Sequence, residues 1–352
     1  MLFGCSPTRG HFDGMYSDGE VLRVSGWMIN PRRQFTSVDA VLNGELVATQ
    51  APQTRDDVAT ALPWIPHAGE SGFRITLSNV RSGDRLEILG RRGQRVIARL
   101  ESALRVDLDS AAPTPPAELI RRVAGQVDPH FFKADGLKGF TDFVDALRRH
   151  RPVTSIRRML DWGCGCGRLS VHFLLDGAIP EFFGCDIDTE ATVWCQENLC
   201  AGRFQSIDPY PPTPYPDHFF DLVIGYSVFT HLRREAQDLW LREMRRVIAP
   251  GGLFLASIHG RFAAYFARPP GDSRIQRLQH RIRGLAFLAS GFSDSREDRA
   301  LDGIAPDGYY RGTFQTRAYT LREWSRYFEI LELVEGGLAY QDLVVMRRPE
   351  DN

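Results

Sequence analysis

The fold class that the sequence predicts is an α/β domain with a largely parallel sheet, preceded by a small all-β sandwich. Three observations predict it. From residue 156 onward, short apolar runs alternate with helical patterns, the order that builds a parallel sheet with crossover helices on both faces. Residues 1–105 instead carry short alternating runs bounded by turn signals and no helical periodicity. Between them stands Asp109-Ser-Ala-Ala-Pro-Thr-Pro-Pro116, whose proline density marks a linker.

In the first part, Val21–Trp27 reads as a strand, and so does Gly72–Leu77. Val38–Thr49 reads as a hairpin, because Asn43-Gly44 suits the two positive-φ positions of a type I′ turn. Arg85–Leu100 is a second hairpin. Arg55-Asp56-Asp57 reads as an ion-paired loop, with part of a binding face as the alternative. Residues 117–150 follow helical periodicity, with Leu119, Ile120 and Val123, then Phe140, Phe143, Val144 and Leu147, on the apolar faces. The boundaries are thus 1–105, a linker with helices at 106–150, and an α/β domain at 151–352.

Within that domain Met159–Trp162, Glu181–Ile187, Asp221–Tyr226 and Leu253–Ile258 read as strands. Leu232–Val247 places Leu232, Ala236, Leu239, Trp240, Met244 and Val247 on one helical face, and Pro250-Gly251-Gly252 is read as its stop. Thr320-x-x-Glu323 has the form of a capping box. Ile330–Val334 and Leu343–Met346 close the chain as strands. Residues 261–319 are far longer than a connection between neighbouring elements requires and are read as a lid-like insert.

Composition excludes several classes. Lys and Arg number 43 against 44 Asp and Glu, a net charge of −1, so the bulk attraction to nucleic acid or an anionic bilayer is missing. No run approaches the roughly 18 apolar residues that a spanning helix needs. A cytoplasmic protein is expected, since Met1–Gly14 lacks the apolar core of an export signal. Five of the six cysteines, Cys164, Cys166, Cys185, Cys195 and Cys200, lie in one stretch without metal-ligand spacing, and are read as small buried hydrophobes with no metal site.

The chemistry centres on Leu160–Ser170, LDWGCGCGRLS. A strand ends, Gly163, Gly165 and Gly167 follow at alternate positions, and a helix is expected to begin near Arg168. This is not the dinucleotide spacing G-x-G-x-x-G. A second carboxylate, Asp186, stands at the tip of the next strand, placed to accept hydrogen bonds from a ribose.

With FFDLVIGYSVFTHL at 219–232 and WLREMRRVIAPGGLFLASIHG at 240–260, these residues resemble a class I S-adenosylmethionine-dependent methyltransferase. The tail from 308 to 348 is similar to a subgroup linked to bacterial glycan or secondary-metabolite modification. The resemblance implies a Rossmann-like seven-stranded sheet with its last strand antiparallel, an enzyme, and S-adenosyl-L-methionine as cofactor. It implies that Gly163, Gly165 and Gly167 let the cofactor approach, that Asp161 lies near its ammonium group, that Asp186 binds the ribose and that Ile187 packs on the adenine. Phe204 and Gln205 would shape the adenine pocket, and Tyr226 and Ser227 would face the reacting methyl.

His259 and His231 are the candidate bases, the latter with a structural role as its alternative. Tyr309, Tyr310 and Arg311 are candidate acceptor contacts, with Arg274 and Arg277 part of a basic lid. The expected partner is a small-molecule or glycan acceptor methylated on a hydroxyl, without nucleic acid or a membrane span. N- or O-methylation of a natural-product scaffold, or a binding protein without turnover, are the alternatives.

Overall fold

The computed structural model describes residues 9–17, 21–62, 65–104, 112–266, 286–338 and 340–350. The chain divides into two compact units, Met1–Ala112 with Lys133–Asp142, and Pro113–Phe132 with Phe143–Asn352.

The first unit carries β1 (Arg9–Ser17), β2 (Val21–Ile29), β3 (Ser37–Leu42), β4 (Glu45–Gln50), β5 (Gln53–Thr54), α1 (Asp56–Ala61), β6 (Glu70–Ser78), β7 (Arg85–Arg92) and β8 (Arg95–Ala103). They form two antiparallel four-stranded sheets, ordered β1-β2-β6-β5 and β4-β3-β7-β8. Alternation of burial along β6 shows why: Phe73, Ile75 and Leu77 point inward while Arg74, Thr76 and Ser78 point out. Both sheets feed one apolar cluster, including Val24, Met28, Val38, Ile75, Leu86 and Ile88. Asn43 and Gly44 take φ of 52° and 90°, the turn that their sequence requires between β3 and β4. Arg55 does more than tie a loop: it grips both oxygens of Asp57 at 2.8 and 2.6 Å and pairs with Asp13.

The second unit begins with α2 (Ala117–Ala124) and includes both ends of α3 (Pro129–Arg148), whose stretch Lys133–Asp142 clusters with the first unit. Then come β9 (Arg158–Trp162), α4 (Ser170–Asp176), β10 (Glu181–Asp186), α5 (Thr189–Asn198), β11 (Arg203–Ser206), β12 (Phe220–Gly225), α6 (Arg234–Val247), β13 (Ile248–Ile258), α7 (Arg261–Phe266), β14 (Phe292–Glu297), β15 (Arg311–Gln315), α8 (Arg317–Trp324), β16 (Glu329–Leu338) and β17 (Gln341–Arg347). Seven strands form one mixed sheet ordered β11-β10-β9-β12-β13-β17-β16, in which β17 runs antiparallel to both its neighbours. Strand order reverses direction at β9, between β10 and β12, and open α/β sheets place ligands at such a point beyond the carboxyl ends of the strands.

The apolar runs of β9, β12 and β13 are almost wholly buried, as central strands covered on two faces must be. An aromatic layer holds α6 and α8 to the sheet: Trp162 lies 4.9 Å from Trp240 and 5.1 Å from Phe229, which in turn lies 4.6 Å from Trp324.

Three local readings are corrected. Pro250-Gly251-Gly252 does not stop α6, which ends at Val247; it lies inside β13, where the register against β12 shifts. The cap of α8 is Thr316, whose side chain accepts from the Tyr319 amide, so Thr320 sits within the helix and returns its hydroxyl to the Thr316 carbonyl. The helix after the glycine turn starts at Ser170, two residues beyond Arg168. Within the stretch read as a lid, β14 and β15 pair antiparallel, while Arg274 and Arg277 lie outside the described residues.

Candidate active site

The glycine turn is built by hydrogen bonds from its own backbone. Gly163 and Cys164 donate to the Cys185 carbonyl at 2.8 and 3.1 Å, and Gly167 donates to Cys164. Gly163, Gly165 and Gly167 take φ of 76°, 51° and 79°, a region that side-chain-bearing residues rarely enter. Their missing Cβ atoms do not leave the space expected for a ligand. A Cβ on Gly163 would strike Val228, one on Gly165 would meet Val123 at 2.6 Å, and one on Gly167 would meet Leu199 at 2.6 Å. Glycine is therefore needed so that α2, α5 and the segment after β12 can close on the turn, and a ligand would meet backbone rather than side chains.

Two carboxylates flank this turn. Asp161, 2% exposed on β9, accepts from the Ser170 hydroxyl at 2.6 Å. Burial pushes its carboxyl up to about 7, against the opposing pull of that hydrogen bond and with a further push from Asp186. Asp186, half-buried at the end of β10, accepts from the Gly165 amide at 2.7 Å and from the Asp188 amide at 2.9 Å. Burial raises it to about 6, less than it otherwise would because those two amides favour the ionised form. Each oxygen thus holds one backbone donor and retains acceptor capacity for a further one. Ile187 is half-buried beside it and packs on the core.

Asp188 caps α5 through the Ala191 amide and receives Arg122 of α2 at 2.9 Å, while the same guanidinium reaches Glu190 at 2.8 Å. An Asp ahead of a helical run is the local signal for such an N-cap, whereas the Arg122 partnership has none.

Phe204 does not line this crevice. Its ring fills the space above Gly184 and Gly202 and packs on Phe182 at 6.1 Å, so it belongs to the core. Gln205, next in β11, is half-buried and pairs in register with Cys185. Tyr226 is buried, with the Arg168 guanidinium 4.3 Å from the centre of its ring and Phe143 edge-on at 6.0 Å. Ser227 follows at φ 60°; its amide donates to Ser257 at 2.7 Å and its hydroxyl accepts from Gln341 at 2.5 Å. Cys164 and Cys195 both lie against the Gly165 carbonyl, at 3.6 and 3.5 Å, and the contact with Cys195, together with burial, pushes the Cys164 thiol up.

Beyond the ends of β12 and β13 stand the two histidines. β15 crosses this end of the sheet on three backbone hydrogen bonds, from Arg311 to His231, Thr313 to Thr230 and Gln315 to His259, at 2.8–2.9 Å. The ring centres of His231 and His259 are 6.1 Å apart. Tyr310 stacks on His231 at 4.1 Å with the planes 7° apart; Phe314 and Tyr340 flank His259 at 5.1 and 5.7 Å. The Nδ1 atoms of both histidines are buried without a hydrogen-bond partner. Burial lowers each ring to about 3, so both are neutral at physiological pH. Asp298, which the sequence did not single out, brings Oδ2 to 3.4 Å from His231 Nδ1.

Of the other expected acceptor contacts, Tyr310 reaches this group and two do not. Tyr309 is 4% exposed and its hydroxyl accepts from the Trp240 indole at 3.1 Å, which makes it core. Arg311 donates its Nε to the Asp294 carbonyl, bracing β14 against β15. Among the described residues no cluster of His, Cys, Asp and Glu suits a metal ion, and no helix is long and apolar enough to cross a membrane.

Residues 160–256 match the family model described as a methyltransferase domain. The chain is 30% identical over 125 residues to ajmaline N-methyltransferase of Rauvolfia serpentina, covering 34% of this chain and 40% of that one. It is 28% identical over 114 residues to the tRNA N(3)-cytidine methyltransferase METTL2 of Gallus gallus, covering 30% and 31%. The chain therefore spans about a third of the length of the curated relatives it matches. Among solved structures, the N-methyltransferase NodS of Bradyrhizobium japonicum WM9, in complex with S-adenosyl-L-homocysteine, is 15% identical with a TM-score of 0.39, over 66% of this chain and 97% of that one. Residues 160–256, which carry the glycine turn and the paired acidic strand ends, are thus the part of the chain that is similar to a methyltransferase domain.

Proposed function

We propose that this protein transfers a methyl group from S-adenosyl-L-methionine to a hydroxyl of a carbohydrate or another small acceptor. The observation that carries the reading is the pairing of two features at one end of the sheet: the Asp161–Asp186 glycine turn, and two neutral histidines whose buried Nδ1 atoms lack partners. The cofactor supplies an electrophilic methyl on a sulfonium. Gly163, Gly165 and Gly167 present backbone, Asp186 offers acceptor capacity to the ribose hydroxyls, Asp161 lies where an ammonium group would lower its raised pKa, and Ile187 and Tyr226 give apolar surface. A neutral imidazole can take a proton, which an oxygen nucleophile needs to shed and a neutral amine hardly needs to. Tyr310 covers the His231 ring, Phe314 and Tyr340 flank that of His259, and the crossing β15 reduces the access of water to both.

The glycan context is supported only by the all-β module and the tail, and a natural-product acceptor is the second reading, favoured by the name of the ajmaline relative. The net charge of −1 disfavours nucleic acid, while one relative is named as a tRNA methyltransferase. The test is therefore a tritiated-methyl assay with S-adenosyl-L-methionine against monosaccharides, oligosaccharides, alkaloid amines and tRNA. Label on a sugar oxygen supports the proposal. Label on nitrogen or on tRNA, with none on hydroxyl acceptors, overturns it.

A further inference from the structure

We propose that Asp298 is a positioning residue for His231, its carboxylate holding the proton on Nδ1 so that Nε2 is the base turned to an acceptor hydroxyl. The inference rests on the methyltransferase reading above for its acceptor, but its geometry stands alone. Two histidines share this end of the sheet, and each has a buried Nδ1 without a partner, an arrangement that native proteins rarely leave unresolved. Only the surroundings distinguish them. His259 lies between Phe314 and Tyr340, neither of which can fix a tautomer from the ring face; its ring meets the Thr313 backbone, and the Asp298 charge reaches it only through space. His231 has Asp298 Oδ2 at 3.4 Å from its Nδ1, within ion-pair distance but without a formed hydrogen bond, and its ring also meets the Arg311 backbone.

The rest of the neighbourhood immobilises the His231 ring. Tyr310 covers one face at 4.1 Å, and the backbone at His231 is pinned by the Arg311 amide and bridged through Leu232 to Tyr310. Asp298 is the more exposed partner: its side chain is 35% exposed, and its own amide donates to the Tyr310 carbonyl at 3.2 Å, so strand pairing around Tyr310 sets its distance from the imidazole. Small rotation of that carboxylate completes the bond. An Nδ1–H held by a carboxylate leaves Nε2 with its lone pair, and the carboxylate stabilises the imidazolium that forms when Nε2 takes a proton. The residue before the core of β15 thus does two jobs, since Tyr310 both covers His231 and carries the carboxylate to it.

The test needs no acceptor. Full-length protein is labelled with ¹⁵N-histidine, and the His231 resonances are assigned by their loss in His231→Gln. Wild-type His231 is expected to carry its proton on Nδ1, and Asp298→Ala to move it to Nε2, with Asp298→Glu restoring the wild-type pattern. The same tautomer in wild type and Asp298→Ala overturns the proposal, because a purely structural Asp298 would not hold the proton. S-adenosyl-L-homocysteine calorimetry on the same samples separates the two readings. Affinity within about twofold of wild type in both variants is expected, and absence of binding in the wild type overturns the methyltransferase reading while leaving the tautomer result to decide the role of Asp298.

Discussion

At the scale of single residues, what matters is which groups pay for burial and which are compensated. Asp161 is enclosed with one hydroxyl donor, and its carboxyl rises from 3.8 to about 7 because burial outweighs that hydrogen bond and the nearby Arg168 charge. A carboxyl raised in the folded state stabilises that state fully below its unfolded pKa, near 4, and loses the contribution as pH rises through about 7. The unliganded protein is therefore expected to melt at progressively lower temperature between about pH 5 and pH 8. Asp161→Asn, which still accepts from Ser170, should flatten that trend; parallel slopes for the two proteins in a melting series would contradict the assignment. Gly165→Ala confronts both a φ of 51° and a 2.6 Å contact with Val123. A loss of at least about 1 kcal/mol in denaturant unfolding is expected, with weaker S-adenosyl-L-homocysteine binding. An unchanged midpoint would show that the turn has room.

At the scale of elements, the sequence made legible whatever is written locally. The β3–β4 hairpin followed from Asn43-Gly44, and β9, β12 and β13 from continuous apolar runs. The glycine turn and Asp186 at the end of β10 came from spacing alone. What failed depended on distant partners. Phe204 had the right position for a pocket but its ring is drawn into the space over Gly184 and Gly202. Tyr309 is claimed by the Trp240 indole, and Asp298 reaches His231 only because β15 returns across the sheet. The cap of α8 is Thr316 and not Thr320, because the spacing Thr-x-x-Glu does not say where the backbone leaves the extended region. The contact between α2 and α5 is likewise invisible locally: Arg122 neutralises Asp188, whose carboxylate is nearly enclosed, and Val123 next to it closes on Gly165. Arg122→Met leaves that carboxylate without its cation and is expected to cost about 2 kcal/mol of stability. S-adenosyl-L-homocysteine affinity should fall with it. A stable variant of normal affinity would mean that α2 does not support the turn.

At the scale of the whole molecule, the division of the chain is not a single cut. Lys133–Asp142, in the middle of α3, clusters with Met1–Ala112, and Ala134, Leu137 and Phe140 are buried there. A chain beginning at Ala117 is expected to bind S-adenosyl-L-homocysteine, since the seven-stranded sheet has its own core, but to be less soluble because those apolar side chains lose their cover. Failure to bind in a soluble truncation would make the first unit part of the cofactor-binding fold. The central claim, however, is that the crevice at the ends of β9 and β10 holds S-adenosyl-L-methionine through Asp186, and calorimetry of full-length wild type and Asp186→Ala with S-adenosyl-L-homocysteine tests it most directly. The account predicts binding by the wild type and a loss of roughly 1.5–3 kcal/mol in a folded Asp186→Ala, as the ribose hydroxyls forfeit a charged acceptor. No binding by the wild type, or equal affinity in the two proteins, would contradict it.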